Sequence, residues 1–147
     1  MSLKERLLED MKTAMKAKDK QKLSVIRMAR AAIKNVEIAK RKDLDDNEVI
    51  EVLAREVKQR RDSISEFEKA GKEQTVLNLN KEIEILTGYL PEQLSEEKIE
   101  KLVYDTIKDL KDASIADIGK VMGIIMPKLK GRADGRLVNT IVRKKLS

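Results

Sequence analysis

The sequence predicts an all-α protein, and three observations lead to that class. Aromatic residues make up 2% of the 147-residue chain, whereas charged residues make up 39%. Most of the chain is built from Lys, Glu, Leu, Ile, Ala, Arg and Met, a composition that favours helices, while strands favour β-branched and aromatic side chains. Apolar residues also recur every three or four positions in several segments, as they do on the buried face of a helix.

Residues 1–90 are predicted to form a helical domain of about four helices. Two capping-box patterns, Ser2 with Glu5 and Asp45 with Glu48, mark the starts of the first and third helices. Gly71 follows the third helix as a C′ residue. The four helices are expected at residues 3–15, about 21–42, about 46–70 and about 73–86.

Arg60 interrupts the apolar stripe of the third helix, where an apolar residue is expected. We interpret it as an arginine that lies along the edge of the core, with its head in water or paired with a carboxylate, in preference to a functional role.

Residues 91–147 are predicted to form a three-helix module. Gly88 and Pro91 end the fourth helix of the preceding domain and mark the boundary. The first of the three helices is expected to begin after Ser95 as its N-cap, and the second is expected to cover about 115–126. The third is expected to begin after Asp134 as its N-cap. Pro127 is expected to kink or end the second of them.

The chain contains neither Cys nor His, which excludes disulfides, thiolate chemistry, most zinc sites and most general-base mechanisms. No catalytic residues, metal site or cofactor are therefore predicted. The scattered acids of the third helix are interpreted as ordinary surface. They are Glu51, Glu56, Asp62, Glu66 and Glu68.

We expect a cytoplasmic protein. No apolar run approaches the roughly 20 residues that span a bilayer. The first ten residues are charged from Lys4 onward and lack the apolar stretch of a signal peptide.

The charges are distributed unevenly along the chain. Residues 1–42 carry a net charge of +8, residues 43–117 a net charge of −9 and residues 118–147 a net charge of +7. For the N-terminal segment, a solvated helix face and a binding surface are equally good interpretations. The C-terminal segment has a single acid, Asp134, and that acid is explained as a helix cap.

The most informative stretch is 127–136. Lys128, Lys130, Arg132 and Arg136 surround Gly131 in a loop that leads into a helix N-terminus. Backbone N–H groups and cations together suit phosphate binding. The GxxxxGK[ST] pattern of nucleotide-hydrolysing loops is absent.

Gly119 and Gly123 lie four residues apart inside a predicted helix, where each glycine costs about 1 kcal/mol relative to alanine. They would clear one helix face for the close approach of another backbone. We favour an adjacent helix as that neighbour, with a nucleic-acid or protein surface as the alternative.

Tyr104 is the only aromatic residue of the C-terminal module, which argues against stacking on unpaired bases as the mode of binding. Basic helices and a basic loop instead suit recognition of the backbone and shape of a structured nucleic acid. An acidic protein partner would satisfy the same charges.

The sequence resembles the GatB/YqeY family over essentially its whole length, and is most similar to the stand-alone YqeY-like proteins. Three blocks carry the resemblance in order. They are residues 55–63 continuing through 66–71, the Tyr-Leu-Pro-Glu-Gln-Leu junction at 89–94, and Gly-Lys-Val-Met-Gly at 119–123 with Met126, Pro127 and 130–134.

The resemblance implies a helical domain joined to a three-helix module, the pair that forms the tail of the GatB component in a glutamine-dependent tRNA amidotransferase, a carbon–nitrogen ligase. In that enzyme the tail module is understood to grip the tRNA elbow, while the chemistry occurs elsewhere. The chain is thus expected to be a tRNA-associated accessory protein. The positions that match the motif and suit RNA contact are Lys120, Gly123, Lys128, Lys130, Gly131 and Arg132.

Arg136 and Asn139 extend this set because they lie in the first turns of the last helix. The expected partners are tRNA or another structured RNA, with an amidotransferase or other protein as a further partner. Two alternatives stay open: a helper role for a glutamine-dependent ligase, and a protein–protein adaptor without direct RNA contact.

Overall fold

The computed structural model describes residues 1–147, and it is built from seven α-helices without a strand. This confirms the predicted all-α class. The chain divides into two compact units, Met1–Leu90 and Pro91–Ser147, each with its own hydrophobic core.

Four helices form the first unit: α1 (Leu3–Ala17), α2 (Lys20–Lys40), α3 (Asp46–Lys69) and α4 (Glu73–Thr87). The Asp45–Glu48 capping box is present as predicted, with hydrogen bonds in both directions. At the first helix only half of the predicted box forms, because Ser2 accepts from the Glu5 amide at 3.1 Å without a reciprocal bond. Gly71 adopts a φ of +72°, the left-handed conformation that a glycine after a helix provides.

The core of the first unit comes from the apolar stripes of its helices. Leu7 of α1, Ile26 of α2 and Leu53 of α3 are fully buried, and Leu86 of α4 is nearly so. Leu77 of α4 does not contribute to this core, since the residue is 55% exposed.

Arg60 is buried in this unit, with 7% of its surface exposed. Its Nε donates to Glu82 Oε1 of α4 at 3.2 Å, and its Nη1 donates to the Glu56 carbonyl at 3.0 Å. The Glu56 carboxylate lies 3.8 Å from the same Nη1. The Arg60 head group is therefore paired with carboxylates and does not lie in water. Its ion pair with Glu82 joins α3 to α4.

Tyr89 fastens the end of the first unit to α1. Its hydroxyl donates to the Asp10 carboxylate, and the guanidinium carbon of Arg6 lies 4.6 Å from the centre of its ring. Arg6 also donates to the Gly88 carbonyl at 2.9 Å. Burial and the neighbouring Asp10 raise the pKa of the Tyr89 hydroxyl, so it stays a donor throughout the physiological pH range.

Three helices form the second unit: α5 (Glu96–Asp109), α6 (Ile118–Ile125) and α7 (Gly135–Leu146). The helix predicted over 115–126 is shorter than expected, because 3₁₀ turns at Ile115–Asp117 and Met126–Lys128 replace its two ends. Pro127 lies within the second turn, so α6 ends before the proline instead of being kinked by it.

The core of the second unit is contributed by all three helices and by the loop after α6. Ile99 and Val103 of α5, Val121 of α6, Leu129 of the loop and Val138 of α7 are buried, each with no more than 1% exposure. Burial of Leu129 anchors the middle of the basic segment, and the polar residues on either side of it are left at the surface.

Candidate functional site

The basic loop after α6 is held by the segment that precedes α5. Gln93 Nε2 donates to the Gly131 carbonyl at 2.6 Å, and the Leu94 amide donates to the Arg132 carbonyl at 2.8 Å. In the opposite direction, Arg132 Nε donates to the Glu92 carbonyl at 3.2 Å. The second and third blocks of the resemblance are thus two sides of one hydrogen-bonded clamp.

These contacts change the interpretation of two predicted site residues. Gly131 has a φ of +71°, so it is a conformational requirement of the loop as well as a surface position. Arg132 is half-buried, and its Nε is engaged with backbone, so part of its role is to hold the loop in shape. The sequence analysis did not predict Gln93 as a site residue, because its hydrogen-bond partner lies 38 residues away along the chain. Its only sequence signal was its place in the 89–94 block.

Asp134 is the N-cap of α7, as predicted, and its carboxylate accepts from the Arg136 amide at 3.1 Å. This carboxylate occupies the helix end and adds a negative charge there. Binding of an anion by this segment therefore depends on its cations and not on the helix N-terminus.

The prediction that Gly119 and Gly123 pack against an adjacent helix is wrong. Both residues are exposed, and a Cβ added to either would meet no atom within 4 Å. Neither has a positive φ, so no backbone strain requires glycine there. The glycines leave the backbone of α6 bare towards solvent at a cost of about 1 kcal/mol per residue in helix stability.

Positively charged side chains flank this bare stretch. The side chains of Lys120 and Lys128 are exposed, and neither forms a hydrogen bond or an ion pair. They lie roughly 12 Å apart along the axis of α6 and the following turn. We call the exposed surface made by Gly119, Lys120, Gly123, Ile124 and Lys128 the α6 face.

The other predicted residues surround this surface in different ways. Lys130 and Arg136 are exposed, in the loop and in the first turn of α7. Asn139 is half-buried, and its Oδ1 accepts from Arg143 Nε at 2.8 Å, so this oxygen is occupied within the helix.

Two further cations at the end of α7, Lys144 and Lys145, were not predicted as site residues. They line a cavity of about 150 Å³ together with Glu96 and Glu100. Two carboxylates thus line the same cavity as these lysines, although no ion pair joins them.

The chain contains no group of three or more acidic, Cys or His residues placed to hold a metal ion. None of the helices combines the length and apolar character needed to cross a bilayer. What the arrangement offers chemically is an exposed cationic surface around a bare helix backbone, which suits contact with a polyanion.

Fold and site together define a small, two-unit helical protein with a basic surface on its second unit. The model of the YqeY-like protein family matches residues 4–146. The chain therefore belongs to the YqeY-like family, as the resemblance implied.

Relatives fall into two groups. The altered inheritance of mitochondria protein 41 of Pyrenophora tritici-repentis is 32% identical over 130 residues, 87% of this chain and 71% of the relative. The protein of the same name from Kluyveromyces lactis is 40% identical over 111 residues, 73% of this chain and 60% of the relative. Both of these names carry the word mitochondrial.

The second group consists of much longer proteins, which are components of glutamyl-tRNA(Gln) amidotransferases. The one from Methanocaldococcus jannaschii is 46% identical over 57 residues, which are 36% of this chain and 9% of the relative. The similarity to that amidotransferase component is thus confined to a small part of it.

Proposed function

We propose that the protein binds tRNA as an accessory factor, and that the α6 face contacts the phosphate backbone. The observation that carries the proposal is the exposed position of Gly119 and Gly123 beside Lys120 and Lys128. A bare helix backbone lets a bulky polyanion approach closely, and each flanking ammonium group can then pair with a phosphate.

Recognition in this mode depends on shape and charge more than on base sequence. Tyr104, the one aromatic residue of the second unit, is 56% exposed but lies on α5, outside the α6 face. Because stacking platforms are absent from that face, a folded RNA suits it better than an unpaired strand.

The relation to the amidotransferases supports tRNA as the RNA in question. The name of the Methanocaldococcus jannaschii relative refers to glutamyl-tRNA(Gln), and part of that relative is similar to this chain. We propose that the chain carries an RNA-contacting part of such an enzyme and performs no catalysis alone. The proposal keeps the cytoplasm as its compartment, although the fungal relatives have mitochondrial names.

The test is binding of purified protein to total tRNA by fluorescence anisotropy, at about 50 and 200 mM salt. The variant Lys120→Ala/Lys128→Ala removes two exposed cations without touching the clamp around Gly131 and Arg132. We expect weaker binding and a salt slope smaller by about 2, one for each lost phosphate contact.

The matched control is Lys144→Ala/Lys145→Ala, which removes the same charge from the same unit but from positions near Glu96 and Glu100. Its salt slope should stay close to that of the wild type. Equal losses in both variants would indicate a diffuse charge effect and contradict the assignment to the α6 face. Absence of tRNA binding by the wild type at low salt would refute the proposed function.

A further inference from the structure

A groove of about 580 Å³ runs between α1 and α2 on the first unit. Its apolar lining includes the half-buried Leu8 of α1 and the exposed Ala31 of α2. The helices are antiparallel here, because Lys4 contacts Glu37 and Met11 contacts Arg30.

One wall of the groove is positively charged. Arg27, Arg30 and Lys34 are exposed on α2, and their spacing of three and four residues places them on one stripe of the helix. None of the three forms an ion pair with a carboxylate. Arg30 Nη1 donates to Met11 Sδ at 3.2 Å, so its partner is a thioether and not a carboxylate.

The carboxylates of the groove neutralise this wall only in part. Glu37 is engaged by Lys4 Nζ at 2.6 Å and by the Leu44 amide at 2.9 Å, and these bonds, with a smaller contribution from the charge of Lys34, lower its pKa. Glu5 is the other acid of the lining, so four cations face two carboxylates and an excess of two positive charges remains.

The dimensions of the groove favour an elongated ligand. Arg27 and Lys34 are separated by seven residues, about 10 Å along the helix axis. Small-molecule sites usually enclose most of their ligand, whereas this groove is open along two helices. An additional helix can lie in such a groove between two helices.

We propose that this groove docks an acidic amphipathic helix of a partner protein. Its apolar side would cover Leu8 and Ala31, and its Asp or Glu residues, spaced three or four apart, would face Arg27, Arg30 and Lys34. An RNA backbone would match the charges but would gain nothing from the apolar floor. The groove belongs to Met1–Leu90 and the α6 face to Pro91–Ser147, so this proposal stands or falls independently of tRNA binding.

The probe is a fluorescent helical peptide of about 18 residues, five turns long, with Leu along one face and Glu on its flanks. A scrambled peptide of the same composition keeps the charge and destroys the apolar face. We expect the full-length protein to bind the first peptide at least tenfold more tightly than the second, a difference of about 1.4 kcal/mol. Equal binding of the two would show simple charge attraction and overturn the proposal.

Two variants locate the binding. Arg27→Glu/Lys34→Glu should weaken peptide binding at least tenfold, about 1.4 kcal/mol. The matched control Arg55→Glu/Lys58→Glu, on the exposed side of α3, should leave it within about twofold. Loss of peptide binding in the control as well would contradict the groove as its site.

The variant Ala31→Arg distinguishes docking of the peptide in the groove from simple charge attraction of the peptide. It adds a positive charge, and its side chain also fills the floor of the groove. Docking predicts weaker peptide binding in this variant, and charge attraction alone predicts stronger binding. Circular dichroism verifies that each variant is folded. If the Arg27→Glu/Lys34→Glu variant instead loses tRNA binding and keeps peptide binding, the groove contacts nucleic acid and the proposal is wrong.

Discussion

Arg60 of the first unit and the pair Lys120 and Lys128 of the second unit lie in opposite surroundings. Arg60, in the 55–63 block, is 7% exposed and bonded to Glu82 and to the Glu56 carbonyl. Lys120 and Lys128, in and near the third block, are exposed without a carboxylate partner. A buried cation held by such partners contributes to folding, whereas an exposed cation beside a bare backbone is available to a ligand.

The same contrast applies to the tyrosines. Tyr89 of the first unit is 5% exposed and donates to Asp10, whereas Tyr104 of the second unit is 56% exposed. Burial and hydrogen-bond partners thus distinguish a side chain that holds the fold together from one that is exposed to solvent.

The largest expected effect comes from Arg60→Met. The substitution leaves Glu82 and Glu56 beside an apolar side chain, and the loss of one partner from a buried ion pair destabilises a protein by about 3 kcal/mol. Urea unfolding measures the total, and hydrogen exchange should show lower protection in α3 and α4. Lys58→Ala, an exposed neighbour, is the control and should change stability by only a few tenths of a kcal/mol. A loss below about 1 kcal/mol for Arg60→Met would contradict a structural role.

A smaller loss of about 1.5 kcal/mol is expected for Tyr89→Phe, which keeps the ring beneath Arg6 and removes the hydrogen bond to Asp10. Tyr104→Phe makes the same chemical change on an exposed ring and should be nearly neutral. Urea unfolding of the two variants side by side gives the comparison. Equal effects would show that the Tyr89 hydroxyl bond does not anchor the end of the first unit.

Much of the fold follows from local sequence signals. The capping box at Asp45, the glycine stop at Gly71 and the cap at Asp134 are properties of a few adjacent residues, and the structure confirms each of them. The 3₁₀ turns that replace the two ends of α6 were not predicted. The apolar periodicity of 115–126 fits a continuous α-helix as well as a shorter α-helix with a 3₁₀ turn at each end.

Local sequence signals did not predict the contacts between segments that are distant in the sequence. The bond from Gln93 to Gly131 spans 38 residues, and that from Arg60 to Glu82 spans 22. The environment of Gly119 and Gly123 was wrongly predicted because it too depends on distant segments. Their spacing predicts a helix face without side chains, but it does not predict whether another helix or solvent lies against that face. The predicted contacts of Lys120, Lys128 and their neighbours with RNA stay a prediction.

The most direct test of the α6 face is the double variant Gly119→Ala/Gly123→Ala, measured for both stability and tRNA binding. Alanine at these exposed helical positions should stabilise the second unit by about 1 kcal/mol per residue, because nothing lies within 4 Å of either new methyl group. If the bare backbone is a contact surface, the same methyl groups should weaken tRNA binding about fivefold, or about 1 kcal/mol. Higher stability with weaker binding is the predicted result. Higher stability with unchanged or tighter tRNA binding would contradict the account.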